Sequence, residues 1–190
     1  MASVVINGDT SGAVTITAPA VAGTPTLTLP TTTGTILTTA STAVVTQAML
    51  STNVAGNGPT FSYYQSSAQT LPTTTFTKLT FTSSDWDTTG GMFASSRFTP
   101  TVAGYYLISG GFETNDSQTT QITRVYKNGS ETKAFMNTNP NAVTSQYGSA
   151  TVYCNGSSDY VEIYGWVGAG QSLRTGSAYT YFQGTLIRSA

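Results

Sequence analysis

The first residues to weigh for chemistry in this sequence are eight carboxylates and one thiol. Not one of the 190 residues is a histidine, which removes the usual general base, the commonest metal ligand and the physiological pH switch together. Without histidine there is no Ser–His or Cys–His nucleophile. The carboxylates include three close pairs, Asp85 with Asp87, Glu113 with Asp116, and Asp159 with Glu162. Two carboxylates are what a glycosidase needs, one as acid and one as nucleophile or base. Asp85 and Asp87 flank Trp86 in what reads as a loop between strands, where solvation and turn hydrogen bonding account for them. As a calcium site, Asp85-x-Asp87 lacks the further oxygen donors that six- to eight-fold coordination requires. The single cysteine, Cys154, cannot form an internal disulfide, and in Val152-Tyr-Cys154 it reads as a small buried hydrophobe. The sequence therefore predicts a protein that is not an enzyme, with no catalytic residue, no cofactor and no metal ligand.

A binding surface is a better prospect. Tyr160, Tyr164 and Trp166 alternate with Val161, Ile163 and Val167, so one strand carries an aromatic face and an aliphatic face. A strand apolar on both faces is covered on both. The pattern alone leaves open which face fills the core and which meets a second surface.

The elements that must hold these residues divide the chain in two. All 21 aromatic residues lie between Phe61 and Phe182, and 68 uncharged residues separate Asp9 from Lys78. Thr makes up a fifth of the chain, while charged residues are only 8%, against about 25% in an average globular protein. The turn-forming Asn57-Gly58-Pro59 marks the boundary, giving an arm over 1–58 and a head over 59–190. Within the arm, Gly12, Gly23 and Gly34 recur every eleven residues. The first two open matching segments, Gly12-Ala-Val-Thr-Ile-Thr-Ala-Pro19 and Gly23-Thr-Pro-Thr-Leu-Thr-Leu-Pro30. Each reads as a short strand closed by a breaker, too small to bury its apolar side chains without neighbours. Val14, Ile16, Leu27, Leu29, Ile36 and Leu37 are accordingly the expected anchoring residues. Ser41–Leu50 is the one helical candidate, with Val44, Val45, Ala48 and Met49 on one side.

From Phe61 onward, nine short alternating runs separated by turn signals predict an all-β sandwich or jelly roll. They are Phe61–Gln65, Thr75–Thr82, Gly91–Thr99, Tyr105–Phe112, Thr120–Lys127, Thr132–Met136, Gln146–Cys154, Tyr160–Val167 and Ala178–Arg188. Asn128-Gly129 and Asn155-Gly156 both read as hairpin turns. A net charge of −1 offers no nucleic-acid footprint, and no apolar run approaches the 18 or so residues of a membrane span. Met1–Ile6 lacks the basic and apolar regions of a signal peptide.

Several ordered motifs resemble the complement C1q and tumour-necrosis-factor jelly-roll family. They are Asp85-Trp-Asp87, Gly91-Met-Phe93, Phe98-Thr-Pro100 with Gly104-Tyr-Tyr-Leu-Ile108, Ser158-Asp-Tyr-Val-Glu-Ile163, and the closing Phe182-Gln-Gly-Thr-Leu186. Pro100 follows Phe98 by two residues where the family has three, and Ser158 stands where the family has Gly. The resemblance implies a head core built from Phe98, Tyr106, Ile108, Val161, Ile163, Phe182 and Leu186. It also implies a homotrimer assembled through one sheet of each sandwich. With the aliphatic face inside, Tyr160, Tyr164 and Trp166 become the expected trimer contact. Some members of that family bind calcium through loop carboxylates, which brings Asp85 and Asp87 back as the residues to watch.

The arm, through Ile6-Asn-Gly-Asp-Thr-Ser-Gly-Ala-Val-Thr-Ile-Thr-Ala-Pro19 and Thr46-Gln-Ala-Met-Leu50, is similar to N-terminal segments and spacers of tailed-bacteriophage structural proteins. Together the two resemblances imply a non-enzymatic bacteriophage virion protein. It would be a capsid decoration, cement or head-fibre trimer, assembled in the host cytoplasm and displayed on the particle surface. Its arm would grip the major capsid protein or other virion proteins. The alternative is a receptor-binding tip of a tail fibre or tailspike, its head meeting a host surface receptor. A secreted bacterial adhesin fits less well with the missing signal peptide.

Overall fold

A computed structural model describes residues 3–7, 13–17, 31, 56–118, 120–138 and 143–190. The chain divides into two compact units, Met1–Val44 and Val45–Ala190. In the first, β1 (Ser3–Asn7) pairs antiparallel with β2 (Ala13–Thr17), with Ile6 opposite Val14 and Ile16 opposite Val4. β2 coincides with the first repeat segment, and β1 is a strand the repeat did not reveal. Val5, Ile6 and Ile16 are exposed. Leu27, Leu29, Ile36, Leu37 and the helical candidate Ser41–Leu50 lie outside the described residues.

The second unit is all β among the described residues. Its five-stranded antiparallel sheet runs β12 (Val143–Cys154), β9 (Gly104–Gln118), β15 (Tyr181–Ser189), β3 (Thr60–Tyr64), β6 (Ser83–Asp87). Opposite it, the other sheet runs β11 (Ser130–Thr138), β10 (Gln121–Lys127), β13 (Val161–Val167), β8 (Arg97–Phe98), β7 (Phe93–Ala94). Its sixth strand, β5 (Thr77–Lys78), also pairs with β13. A small ribbon joins β14 (Gln171–Ser172) to β4 (Thr70–Leu71). The last strand, β15, is inserted between β9 and β3, so the two ends of the head meet in one sheet.

Phe61 occupies the centre of the core. Its ring lies 4.6 Å from that of Phe98, 4.9 Å from Phe93 and 5.1 Å from Phe182. Gly184 stands opposite Phe61 in the β15–β3 register, and a Cβ there would come within 2.5 Å of the ring. The glycine of the closing Phe-x-Gly-x-Leu motif thus makes room for the ring at the centre of the core. Phe98, Tyr106, Ile108, Val161, Ile163, Phe182 and Leu186 are all buried, as is Cys154, whose thiol burial pushes up to about 11. The Tyr106 hydroxyl donates to the Val102 carbonyl at 2.7 Å, so its polar end is satisfied inside the core.

The two Asn-Gly dipeptides do different work. At Asn128-Gly129 both residues have positive φ, 55° and 78°, and they turn β10 into β11 as a hairpin. Asn155-Gly156 does not make a hairpin. The chain there leaves β12 in one sheet for β13 in the other, and Asn155 Oδ1 accepts from the backbone N–H groups of Ser157, Ser158 and Asp159. Two other expectations are revised. Asp85-Trp86-Asp87 belongs to strand β6 rather than to a loop. The expected strand Thr75–Thr82 contracts to β5, because Gln69 captures the backbone of this segment by accepting from Thr80 N and donating to Lys78 O.

Candidate functional site

The carboxylate pairs are built into the fold. Asp85 accepts from Ser62 Oγ, and Asp87 accepts from the Tyr63 hydroxyl at 2.7 Å and from Thr89 N. Burial pushes the Asp87 carboxyl up, but these hydrogen bonds outweigh it and hold it below its usual value. Tyr63 is correspondingly raised to about 12, by burial and by the neighbouring carboxylate. Glu113 pairs with Arg174, and Asp116 accepts from Gln171. Asp159 is paired with Lys127 and Asn128, which hold its carboxyl below its usual value. Glu162 is the most enclosed of them, 2% exposed, and is met by both Lys78 and Arg97.

These are the partnerships of structural carboxylates. A glycosidase pair needs one group held protonated near neutrality, whereas Asp159 and Glu162 both have lowered pKa values. Among the described residues, no three acidic or sulfur side chains converge as metal ligands would.

The aromatic stripe lies on the outer face of the six-stranded sheet, with Val161, Ile163 and Val167 directed into the core. Tyr160, Tyr164 and Trp166 are half-buried. Two of the three rings already have partners within the chain. The Arg97 guanidinium lies 3.8 Å above the ring of Tyr160, and Tyr164 stacks on Tyr126 with centroids 4.0 Å apart.

The more open apolar surface is on the other sheet. Tyr105 and Leu107 of β9, Tyr153 of β12 and Ile187 of β15 are each between 39% and 44% exposed. Tyr105 and Tyr153 are opposite in register with rings 5.4 Å apart, and Leu107 stands opposite Thr151 and Thr185. Further along the same face come Ser109, Ser149 and Gln183, then Tyr147 and Tyr181, stacked at 5.4 Å on either side of Gly111. At the sheet's edge a register shift between Ser62 and Tyr63 accompanies exposure of Trp86, whose indole donates to Thr60 Oγ1. The sheet therefore presents an apolar end, an uncharged polar middle and a paired-tyrosine end.

No family model matches the chain, and no curated protein is detectably similar to it in sequence. Solved structures are similar in shape. The globular domain of zebrafish complement 1qA superposes with a TM-score of 0.52 at 22% identity, covering 70% of this chain and 99% of that one. Murine APRIL gives 0.53 at 13% identity, covering 67% and 98%. The Eiger TNF of S. frugiperda gives 0.52 at 7% identity, covering 69% and 93%. The head is a C1q/TNF-like jelly roll. At these identities the likeness is one of fold. Within the jelly roll, the motif residues Phe98, Tyr106, Ile108, Phe182 and Leu186 fill the core. Of the exposed apolar residues, Tyr105 and Leu107 alternate with the buried Tyr106 and Ile108 inside the Gly104–Ile108 motif, whereas Tyr153 and Ile187 lie outside the motifs.

Proposed function

We propose that the protein is a non-enzymatic, homotrimeric structural protein of a tailed-bacteriophage virion, a decoration, cement or head-fibre protein with a projecting jelly-roll head. The observation that carries the trimer is the apolar end of the five-stranded sheet. Full burial of a large apolar side chain contributes about 1.5–3 kcal/mol, so covering the part of these four that is still exposed adds roughly 1 kcal/mol apiece. We assign the contact to Tyr105, Leu107, Tyr153 and Ile187, which are more exposed than the half-buried Tyr160, Tyr164 and Trp166. The arm supports the anchoring role in two ways. Its sequence is similar to phage structural segments, and its β1–β2 ribbon exposes Val5, Ile6 and Ile16. A two-stranded ribbon is marginal alone and gains from being covered.

The test is location. An averaged electron cryo-microscopy map of the virion should show threefold density of this size at threefold or quasi-threefold sites on the capsid. Density confined to fibre tips would favour the second reading, a receptor-binding tip, which the outward aromatic and cationic side chains of the six-stranded sheet support. Absence of the chain from purified particles would overturn both.

A further inference from the structure

Lys78 and Arg97 together outnumber the carboxylate that holds them. Lys78 Nζ and Arg97 Nε lie 2.9 and 2.8 Å from the same atom, Oε1 of Glu162. The Glu162 side chain is 3% exposed, whereas those of Lys78 and Arg97 are 30% and 42% exposed. One enclosed negative charge thus serves two cations, and a net positive charge is left facing solvent. The guanidinium is held over the Tyr160 ring, 3.8 Å from its centroid, and its Nε on Glu162, so its fork is preorganised rather than free to wander. Tyr164, the register partner of Lys78, stands on the other side, braced by Tyr126.

Charge is distributed unevenly over the head in the same sense. Lys78, Arg97, Arg124, Lys127 and Lys133 lie on strands of the six-stranded sheet, with Glu131, Glu162 and the adjoining Asp159 against them, a balance of +2. The remaining charges of the head, Asp85, Asp87, Glu113, Asp116, Arg174 and Arg188, give −2.

We propose that Arg97 and Lys78, flanked by Tyr160 and Tyr164, bind the carboxylate of an acidic saccharide. The two cations supply charge-assisted hydrogen bonds to the carboxylate. Tyr160 and Tyr164, with Trp166 further along the same strand face, offer flat apolar rings to the C–H faces of sugar units. An acidic peptide fits less well. A peptide that adds as a strand needs an open strand edge, and β13 is paired by β10 along one edge and by β8 and β5 along the other, while the rings beside the cations favour a sugar face. The site is on the sheet opposite the proposed subunit contact and does not depend on it.

The experiment is a titration of the full-length protein with D-glucuronate, followed by tyrosine and tryptophan fluorescence and by calorimetry. D-glucose and acetate serve as the neutral ring and the ringless carboxylate. Glucuronate should bind at least roughly tenfold more tightly than either, and added salt should weaken it. Lys78→Gln keeps the Arg97–Glu162 pair, and Tyr160→Ala leaves both ion pairs in place. Each should weaken glucuronate about tenfold while circular dichroism stays that of the folded protein. Equal binding of glucose, no binding of glucuronate, or unchanged affinity in both variants would overturn the proposal.

Discussion

Leu107 and Ile108 are neighbours on β9 with opposite fates: Ile108 is fully buried in the sandwich, and Leu107 is 39% exposed on its outer face. Tyr106 and Tyr105 repeat the relationship one pair earlier. A strand apolar on both faces is covered on both in the working assembly. Tyr160–Val167 is one such strand, and Tyr105–Ile108, whose outer residues Tyr105 and Leu107 are the more exposed, is another.

Glu162 should be the most sensitive charge in the head. Glu162→Gln removes the partner of two half-exposed cations and leaves a buried amide in its place. The expected loss is about 1–3 kcal/mol, less than for a fully buried pair because both cations retain water. Glu131→Gln, at the more exposed end of the pair with Arg124, should cost under about 1 kcal/mol. Urea unfolding of the two variants checks the order; equal losses would show that Glu162 is not specially held.

Stability should fall at both ends of the pH scale. Asp87, Asp159 and Glu162 have folded-state pKa values below their ordinary ones. Their contribution is present above the ordinary carboxylate range and is lost as pH falls through the lowered values. Cys154 is raised from 9.0 to about 11, and Tyr63 and Tyr106 from 10.0 to about 12. Their contribution is intact below the ordinary values and is lost as pH rises through the raised ones. Melting temperature measured across pH should form a plateau through neutrality, dropping on both sides. Cys154→Ser should change the onset of the alkaline drop; an unaltered alkaline limb would contradict the assignment of its thiol.

Gly111 should not tolerate a side chain. A Cβ there would run into the Gln146 carbonyl on the paired strand β12, and φ is +154°. Gly111→Ala should cost at least about 2 kcal/mol, through backbone displacement as well as strain. Gly90→Ala, at positive φ but with open space around it, should cost less, about 1 kcal/mol. Thermal melts of the two variants distinguish steric from conformational cost; similar shifts would contradict the close strand approach at Gly111.

The inward-facing pattern of the head is readable where large apolar residues alternate with polar or small ones, as at Phe182-Gln-Gly-Thr-Leu186, whereas at Val161, Ile163 and Val167 only the family resemblance chooses between two apolar faces. Asn128-Gly129 was readable because positive φ at two successive residues has few sequence solutions. Strand β6 was hidden because Ser83-Ser-Asp-Trp-Asp87 has no apolar alternation, and its residues are exposed or half-buried on a sheet edge. The polar interior was equally hidden. Gln65, Thr114, Gln121, Thr123 and Gln146 are buried, and a glutamine held between two sheets looks in sequence like one in solvent. Asn155-Gly156 misled because the dipeptide is shared by hairpins and by side-chain-anchored crossings. The apolar face of the five-stranded sheet was missed although its signal was present, in the unbroken run Tyr105-Tyr-Leu-Ile108. For the arm, the eleven-residue repeat located β2, while β1 carried no repeat to announce it.

Sedimentation velocity of the full-length chain, Leu107→Asp and Tyr164→Asp tests the central claim most directly. The account predicts a trimer of the 19.8 kDa chain, which Leu107→Asp reduces to monomer by forcing an unpaired charge into the contact. Tyr164→Asp should remain trimeric, its face pointing away from the neighbouring copies. A monomeric wild type, or a trimer that survives Leu107→Asp and falls apart with Tyr164→Asp, would contradict it.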